Sequence, residues 1–202
     1  MKQVSRPFSL LVLTVALVAL LGSACDSKTA PDRAWERGDF HPVPENIESY
    51  KLADGLTIDS MYGYDDFIPE SELPLYMVIR NSKDNDIEVT FPAGLVFGAD
   101  SVDYQYMMVL KEFAFTATGN GATAVIVPTY CCNEDGDEPD DDSHYAIEGR
   151  ENDKEIQELL DLVVDKTLSG DDALALAQDA LFEITDGEGL TDSTKTQLQN
   201  LP

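Results

Sequence analysis

Three residues of this chain have side chains that together are able to form a covalent bond. Cys131 and Cys132 are adjacent in the segment Tyr130-Cys131-Cys132-Asn133, and Gln178 follows further along the chain. A thiol sulfur can replace the nitrogen of a glutamine side-chain amide, which releases ammonia and leaves an internal thioester. Because a thiolate is a good leaving group, such a thioester is an acyl donor held ready for attack by an amine.

Two short segments resemble the motifs of bacterial surface thioester domains. Tyr130-Cys131-Cys132-Asn133 is similar to the aromatic-Cys-hydrophobic-polar motif of that family, and 177–181 (AQDAL) is similar to its glutamine motif. The downstream segment 182–187 (FEITDG) resembles the continuation of the glutamine motif. The resemblance implies a Cys131–Gln178 thioester and covalent adhesion to an amine-bearing ligand, and Cys132 occupies the position of a plain hydrophobe.

The same residues also have non-covalent interpretations. Cys131 and Cys132 are candidates for a vicinal disulfide, because exported proteins meet an oxidising environment. They are equally candidates for two buried thiols, with one facing the core and one facing out, since side chains alternate along a strand. Gln178 is in that case a polar residue that hydrogen-bonds the end of a strand.

Motifs of known enzyme classes and metal sites are not found. The sequence has no nucleophile elbow, phosphate-binding glycine loop or HExxH segment. His41 and His144 are the only histidines, and their spacing does not match a zinc site. Neither an enzyme nor a cofactor is predicted.

The acidic loop at 133–143 (NEDGDEPDDDS) does not match an EF-hand. Counted from Asn133, the sixth and twelfth positions hold Glu138 and His144 instead of Gly and Glu. We therefore predict a solvated, flexible loop without a specific metal site.

The N-terminus predicts export. Lys2 and Arg6 precede the apolar run Phe8 to Leu21, and small residues lead to Cys25, as in a secretory signal peptide of residues 1–24. LLGSAC (20–25) resembles a bacterial lipobox, which implies a lipid on Cys25 and attachment to a membrane. Cleavage after Gly22-Ser23-Ala24 by ordinary signal peptidase is the alternative, and it would release a soluble secreted or periplasmic protein.

Charge limits the partners. The chain has 39 Asp and Glu against 13 Lys and Arg, a net charge of −26. Such a surface repels nucleic acid and anionic headgroups. The predicted partners are the membrane, through the N-terminal lipid, and a surface protein or amine-bearing ligand.

The predicted fold is mainly β with C-terminal α. A proline-containing tether at 25–46 precedes an antiparallel, immunoglobulin-like β-sandwich at 47–149, because short apolar and alternating runs are separated by turn residues. The predicted strands are 56–58, 75–79, 87–91, 95–97, 106–110, 113–116 and 124–130.

Helical periodicity follows in residues 150–202, which predict a small helical pack on the same domain. Ile156, Leu159, Leu160, Val163 and Val164 mark the first helix, and the second runs from about Asp171 to Ile184. Ser169 with Asp172 predicts a capping box, and Thr191 predicts the cap of a third helix.

These features together predict an exported, lipid-anchored and non-enzymatic binding or structural module in the cell envelope. The alternative is a covalent adhesin that uses the Cys131–Gln178 thioester.

Overall fold

The structure is a computed structural model that describes residues 47–202, except 67, 70, 72, 102 and 188. The predicted signal peptide, Cys25, Trp35, His41 and the tether all lie outside the described residues. The described residues belong to one compact unit.

The described chain has ten β-strands, which fall in its first two thirds. In order they are β1 (Ile47–Glu48), β2 (Leu56–Gly63), β3 (Leu75–Asn81), β4 (Ile87–Phe91), β5 (Leu95–Ala99), β6 (Met107–Met108), β7 (Phe113–Ala117), β8 (Gly121–Val127), β9 (Tyr130–Cys131) and β10 (Tyr145–Glu151). Their side chains alternate between buried and more exposed positions in β3, β4 and β8, as half-buried strands require.

The strands form open antiparallel sheets in a sandwich-like arrangement. A five-stranded sheet has the order β1-β10-β5-β6-β9, a three-stranded sheet has the order β2-β3-β8, and β4 pairs with β7. The apolar side chains between these sheets form the first core, which includes Met77, Phe91, Phe97 and Cys131. The predicted antiparallel sandwich is confirmed.

Three helices follow the strands: α1 (Lys154–Val163), α2 (Asp171–Thr185) and α3 (Asp192–Gln199). Their apolar faces form a second core with the outer face of the five-stranded sheet. This core includes Val96, Met108, Leu159, Leu174 and Leu181. The C-terminal helical pack is therefore confirmed, and the five-stranded sheet is covered on both faces.

One detail of the helix ends differs from the sequence prediction, and one agrees. Gly170 is the N-cap of α2 and none of the described side chains caps that helix, so the predicted capping box of Ser169 and Asp172 is wrong. The chain enters α2 with Gly170 at a φ of 84°, a conformation that Gly adopts easily. Thr191 caps α3 as predicted, and its side chain accepts a hydrogen bond from the Thr194 N–H.

None of the helices in the described part of the chain combines the length and the apolar character needed to cross a membrane.

Candidate functional site

The candidate site lies at one edge of the five-stranded sheet. Strand β9 is the last strand of this sheet, and in the described part of the chain it pairs only with β6, through Met107 with Cys131 and Met108 with Tyr130. On that side, the Cys132 N–H donates to the Tyr106 carbonyl over 2.7 Å. Because neighbouring residues of a strand direct their backbone groups to opposite sides, the N–H and C=O of Cys131 point to the open edge.

The side chain of Gln178 covers this edge. Its Oε1 accepts from the Cys131 N–H over 2.8 Å, and its Nε2 donates to the Cys131 carbonyl over 2.8 Å. The amide therefore pairs with the strand as the backbone of a further strand would. The predicted hydrogen bonding of Gln178 to a strand end is present, and it consists of two hydrogen bonds.

Helix α2 brings Gln178 to this position. Ala177 and Leu181 are fully buried in the second core, and Gln178 is itself only 7% exposed. Phe182, one turn after Gln178, packs against the first core. The helix therefore passes along the sheet edge with its apolar side chains packed into the two cores. The Gln178 amide is desolvated where it meets Cys131.

The two cysteine side chains lie on opposite faces of the five-stranded sheet, Cys131 in β9 and Cys132 directly after it. Cys131 belongs to the first core and Cys132 to the second, and both are nearly fully buried. The alternation is as predicted, but the expectation that one of them faces out is wrong. The physical reason is that helices cover the second face of the sheet, so both directions lead into a core.

No disulfide bond joins Cys131 and Cys132 in the structure. Burial raises the pKa of the Cys132 thiol well above its ordinary value, and the nearby thiol of Cys131 and the carboxylates of Glu151 and Asp186 raise it further. Cys132 is therefore held as a neutral thiol and is a poor nucleophile in the folded protein.

Glu151 is a buried acid near Cys132 that the sequence analysis did not single out. It is 1% exposed, and its Oε1 accepts from the backbone N–H groups of Asn152 and Asp153 over 2.8 and 2.9 Å. Among the described residues its Oε2, which is buried, has no hydrogen-bond partner, and burial raises the pKa of this carboxyl. The sequence signal that could have drawn attention to Glu151 is its position two residues before Asp153, the N-cap of α1.

The acidic loop is held at several points. Asn133 Oδ1 accepts from the Tyr106 N–H over 2.7 Å, the Asp140 carbonyl accepts from the Gly63 N–H over 2.9 Å, and Ser143 is fully buried. His144, which follows the loop, is exposed. Within the described residues, no three His, Cys, Asp or Glu side chains come together in a way that would hold a metal ion.

The structure thus brings together Cys131, Cys132 and Gln178, the three residues whose chemistry the sequence suggested. No protein-family model, curated protein or solved structure matches this chain.

Proposed function

We propose that this chain is an exported, lipid-anchored and non-enzymatic module that binds or has a structural role at the outer side of a membrane. The observation that carries this proposal is the structural role of the Gln178 side chain. Its amide is bonded to the edge strand at Cys131 between two cores. The side-chain amide of Gln178, one of the groups able to react, therefore serves to join the helices to the sandwich.

Attachment is proposed to run through Cys25, after removal of residues 1–24. The predicted lipid has long apolar chains, and each buried methylene contributes about 0.8 kcal/mol to membrane binding. The tether at 25–46 then separates the folded domain from the bilayer. The strong negative charge keeps the domain hydrated and away from anionic headgroups.

Membrane fractionation of Cys25→Ser tests this proposal. We expect the unmodified chain in the washed membrane fraction and Cys25→Ser in the soluble fraction, with Ser27→Ala as the control that stays with the membrane. Intact mass of the membrane form should show the added lipid. If Cys25→Ser stays with the membrane, or if the unmodified chain is soluble, lipid anchoring is wrong.

A second candidate function is a covalent adhesin, and the position of the Gln178 side-chain amide against the backbone of Cys131 favours it. In the proposed reaction the Cys131 sulfur bonds to the Gln178 side-chain carbonyl carbon. The amide nitrogen leaves as ammonia with the thiol proton. A ligand amine then attacks the same carbon, which forms an amide and returns the Cys131 thiol. Burial at this edge supports the idea, because a thioester must be kept from water.

Intact mass separates the two candidates. A thioester lowers the mass by one ammonia, a disulfide between Cys131 and Cys132 lowers it by two hydrogens, and two thiols leave it unchanged. Methylamine should add to Gln178 only if the thioester is present. Cys131→Ala should abolish the addition, and Cys132→Ala serves as the matched control. An unmodified mass without methylamine addition would overturn the adhesin.

A further inference from the structure

A cavity of about 390 Å3 opens where the sandwich meets the helical pack. Its walls are the segment around Leu110 and Phe113, Pro128 at the end of the three-stranded sheet, and the α1–α2 connection from Lys166 to Ser169. Leu110 and Leu168 belong to the second core, and Phe113 packs against the first. Its volume is within the range of small-molecule sites, its lining is half apolar and half polar, and junctions of this kind often hold such sites.

Two lysines line this cavity in a strongly acidic protein. The ammonium of Lys166 donates to the Gln199 and Leu201 carbonyls over 2.7 and 2.8 Å, at the C-terminal end of α3. The ammonium of Lys111 donates to the Lys166 carbonyl. Within the described residues, neither ammonium forms an ion pair with a carboxylate. Lys166 is thus occupied at the helix end, and Lys111 has N–H donors left for a ligand.

The charges of the cavity favour a single negative charge. Lys111 and Lys166 are positive, and Glu112 is the one acid among the lining residues. Among the lining side chains there is an excess of one positive charge, which a monoanion would balance, whereas a dianion would meet the repulsion of Glu112. At physiological salt the rest of the acidic surface is screened beyond about 8 Å.

We propose that this cavity binds a small organic carboxylate with an apolar tail. The carboxylate accepts from the Lys111 ammonium, in a cavity that Thr167 and Ser169 also line. The tail packs against Leu110, Phe113 and Pro128. This inference rests on the proposed function as a binding module, and it gives that module a ligand class.

Isothermal titration calorimetry of the full mature chain with octanoate tests the proposal. We expect saturable binding of octanoate and at least tenfold weaker binding of octanol, which has the same tail without the charge. Lys111→Gln should weaken octanoate binding at least tenfold, and Lys111→Arg should keep it. Lys154→Gln removes the same charge from the exposed start of α1 and should leave binding unchanged. Glu112→Gln should tighten binding, because it removes a negative charge from the lining.

Several outcomes would overturn the proposal. One is the absence of saturable octanoate binding, and another is octanol binding as tight as octanoate binding. The third is octanoate binding that stays unchanged in Lys111→Gln, provided that this variant unfolds at the same temperature as the parent chain. If Lys111→Gln does not fold, the octanol comparison and Glu112→Gln still decide. Membrane fractionation of Cys25→Ser tests lipid anchoring independently of octanoate binding. A failure of the ligand proposal can therefore be distinguished from a failure of the proposed anchoring.

Discussion

The side-chain amide of Gln178 is hydrogen-bonded to both backbone groups of Cys131, at 2.8 Å on each side. An exposed edge strand presents unpaired N–H and C=O groups that invite pairing with another chain. At Cys131 an amide from a helix fills that role. One side chain thereby protects the sheet edge and joins the two cores.

Replacement of Gln178 by Glu should destabilise the fold. At pH 7 the introduced carboxylate retains an acceptor for the Cys131 N–H, but it has no donor for the Cys131 carbonyl and it brings a charge into a buried place. A buried group left without its partner costs about 1–3 kcal/mol, and a charged one costs more. We expect a loss of at least about 2 kcal/mol in the free energy of unfolding, measured with urea.

Gln197→Glu is the control for this change. Gln197 is an exposed residue on α3, so the same change of side chain and charge should leave stability within about 0.5 kcal/mol. The loss caused by Gln178→Glu should shrink at pH 4, where a protonated carboxyl regains a donor. Equal stability of the two variants at pH 7 would mean that the Gln178 bonds contribute nothing.

Local patterns predicted the elements that depend on local sequence. The alternation of Ile87 to Phe91 matches β4 at both ends, and the predicted helix from Asp171 to Ile184 differs from α2 by one residue. Strand β10 was missed. Its sequence, Tyr145–Glu151, contains a glycine and three charged residues, and it is a strand because it pairs with β5 and β1. Such pairing depends on residues far away in the chain.

The candidate site shows the same limit. Residue chemistry pointed to Cys131, Cys132 and Gln178, and the structure has them at one sheet edge. That neither thiol faces out was not predictable, because it depends on helices that cover the second face of the sheet. The cavity was also invisible in the sequence, since Lys111 and Lys166 come from separate segments that only the packing of the helices brings together.

The thiol of Cys132 should make the protein less stable in alkali. Burial raises the pKa of this thiol in the folded state, so the unfolded chain loses the proton first as the pH rises above about 8.5. Stability from this group is full below that pH and decreases above it. Urea unfolding at pH 7 and pH 10 should show a smaller alkaline loss for Cys132→Ala than for the parent chain. An identical loss in both would show that Cys132 does not hold its proton as described.

Alkylation gives an independent test of the same thiol. Iodoacetamide reacts with thiolates, and Cys132 is 5% exposed and neutral. At pH 8 the folded protein should therefore leave Cys132 unmodified over hours, whereas the chain in 8 M urea should react within minutes. Peptide mass analysis identifies the modified residue. Rapid modification of Cys132 in the folded protein would contradict its burial.

The carboxyl of Glu151 should oppose folding as the pH rises. Burial raises the pKa of this group above its ordinary value, so the folded protein holds the proton more tightly than the unfolded chain. Its contribution to stability is therefore full at pH values below the ordinary pKa of about 4.5, and decreases as the pH rises through the folded pKa. Glu151→Gln lacks this change. Relative to the parent chain, its free energy of unfolding should increase between pH 4 and pH 7.

Glu134→Gln is the matched control, since it removes an exposed carboxyl from the acidic loop. Its difference from the parent chain should stay nearly constant over the same pH range. If Glu151→Gln also shows a constant difference, the Glu151 carboxyl ionises as an exposed group would.

Gly63 should be intolerant of any side chain, because β2 touches the acidic loop there. A Cβ at Gly63 would lie 2.3 Å from the Asp140 nitrogen and 2.4 Å from the Pro139 carbonyl carbon, which are backbone atoms that cannot turn aside. Gly63→Ala should therefore displace the loop, weaken the hydrogen bond from the Gly63 N–H to Asp140, and cost about 1–3 kcal/mol in urea unfolding. Gly121→Ala is the control, since its nearest neighbours lie at 3.4 Å or more, and it should cost much less. Equal stability of the two variants would mean that the loop does not rest on β2 in solution.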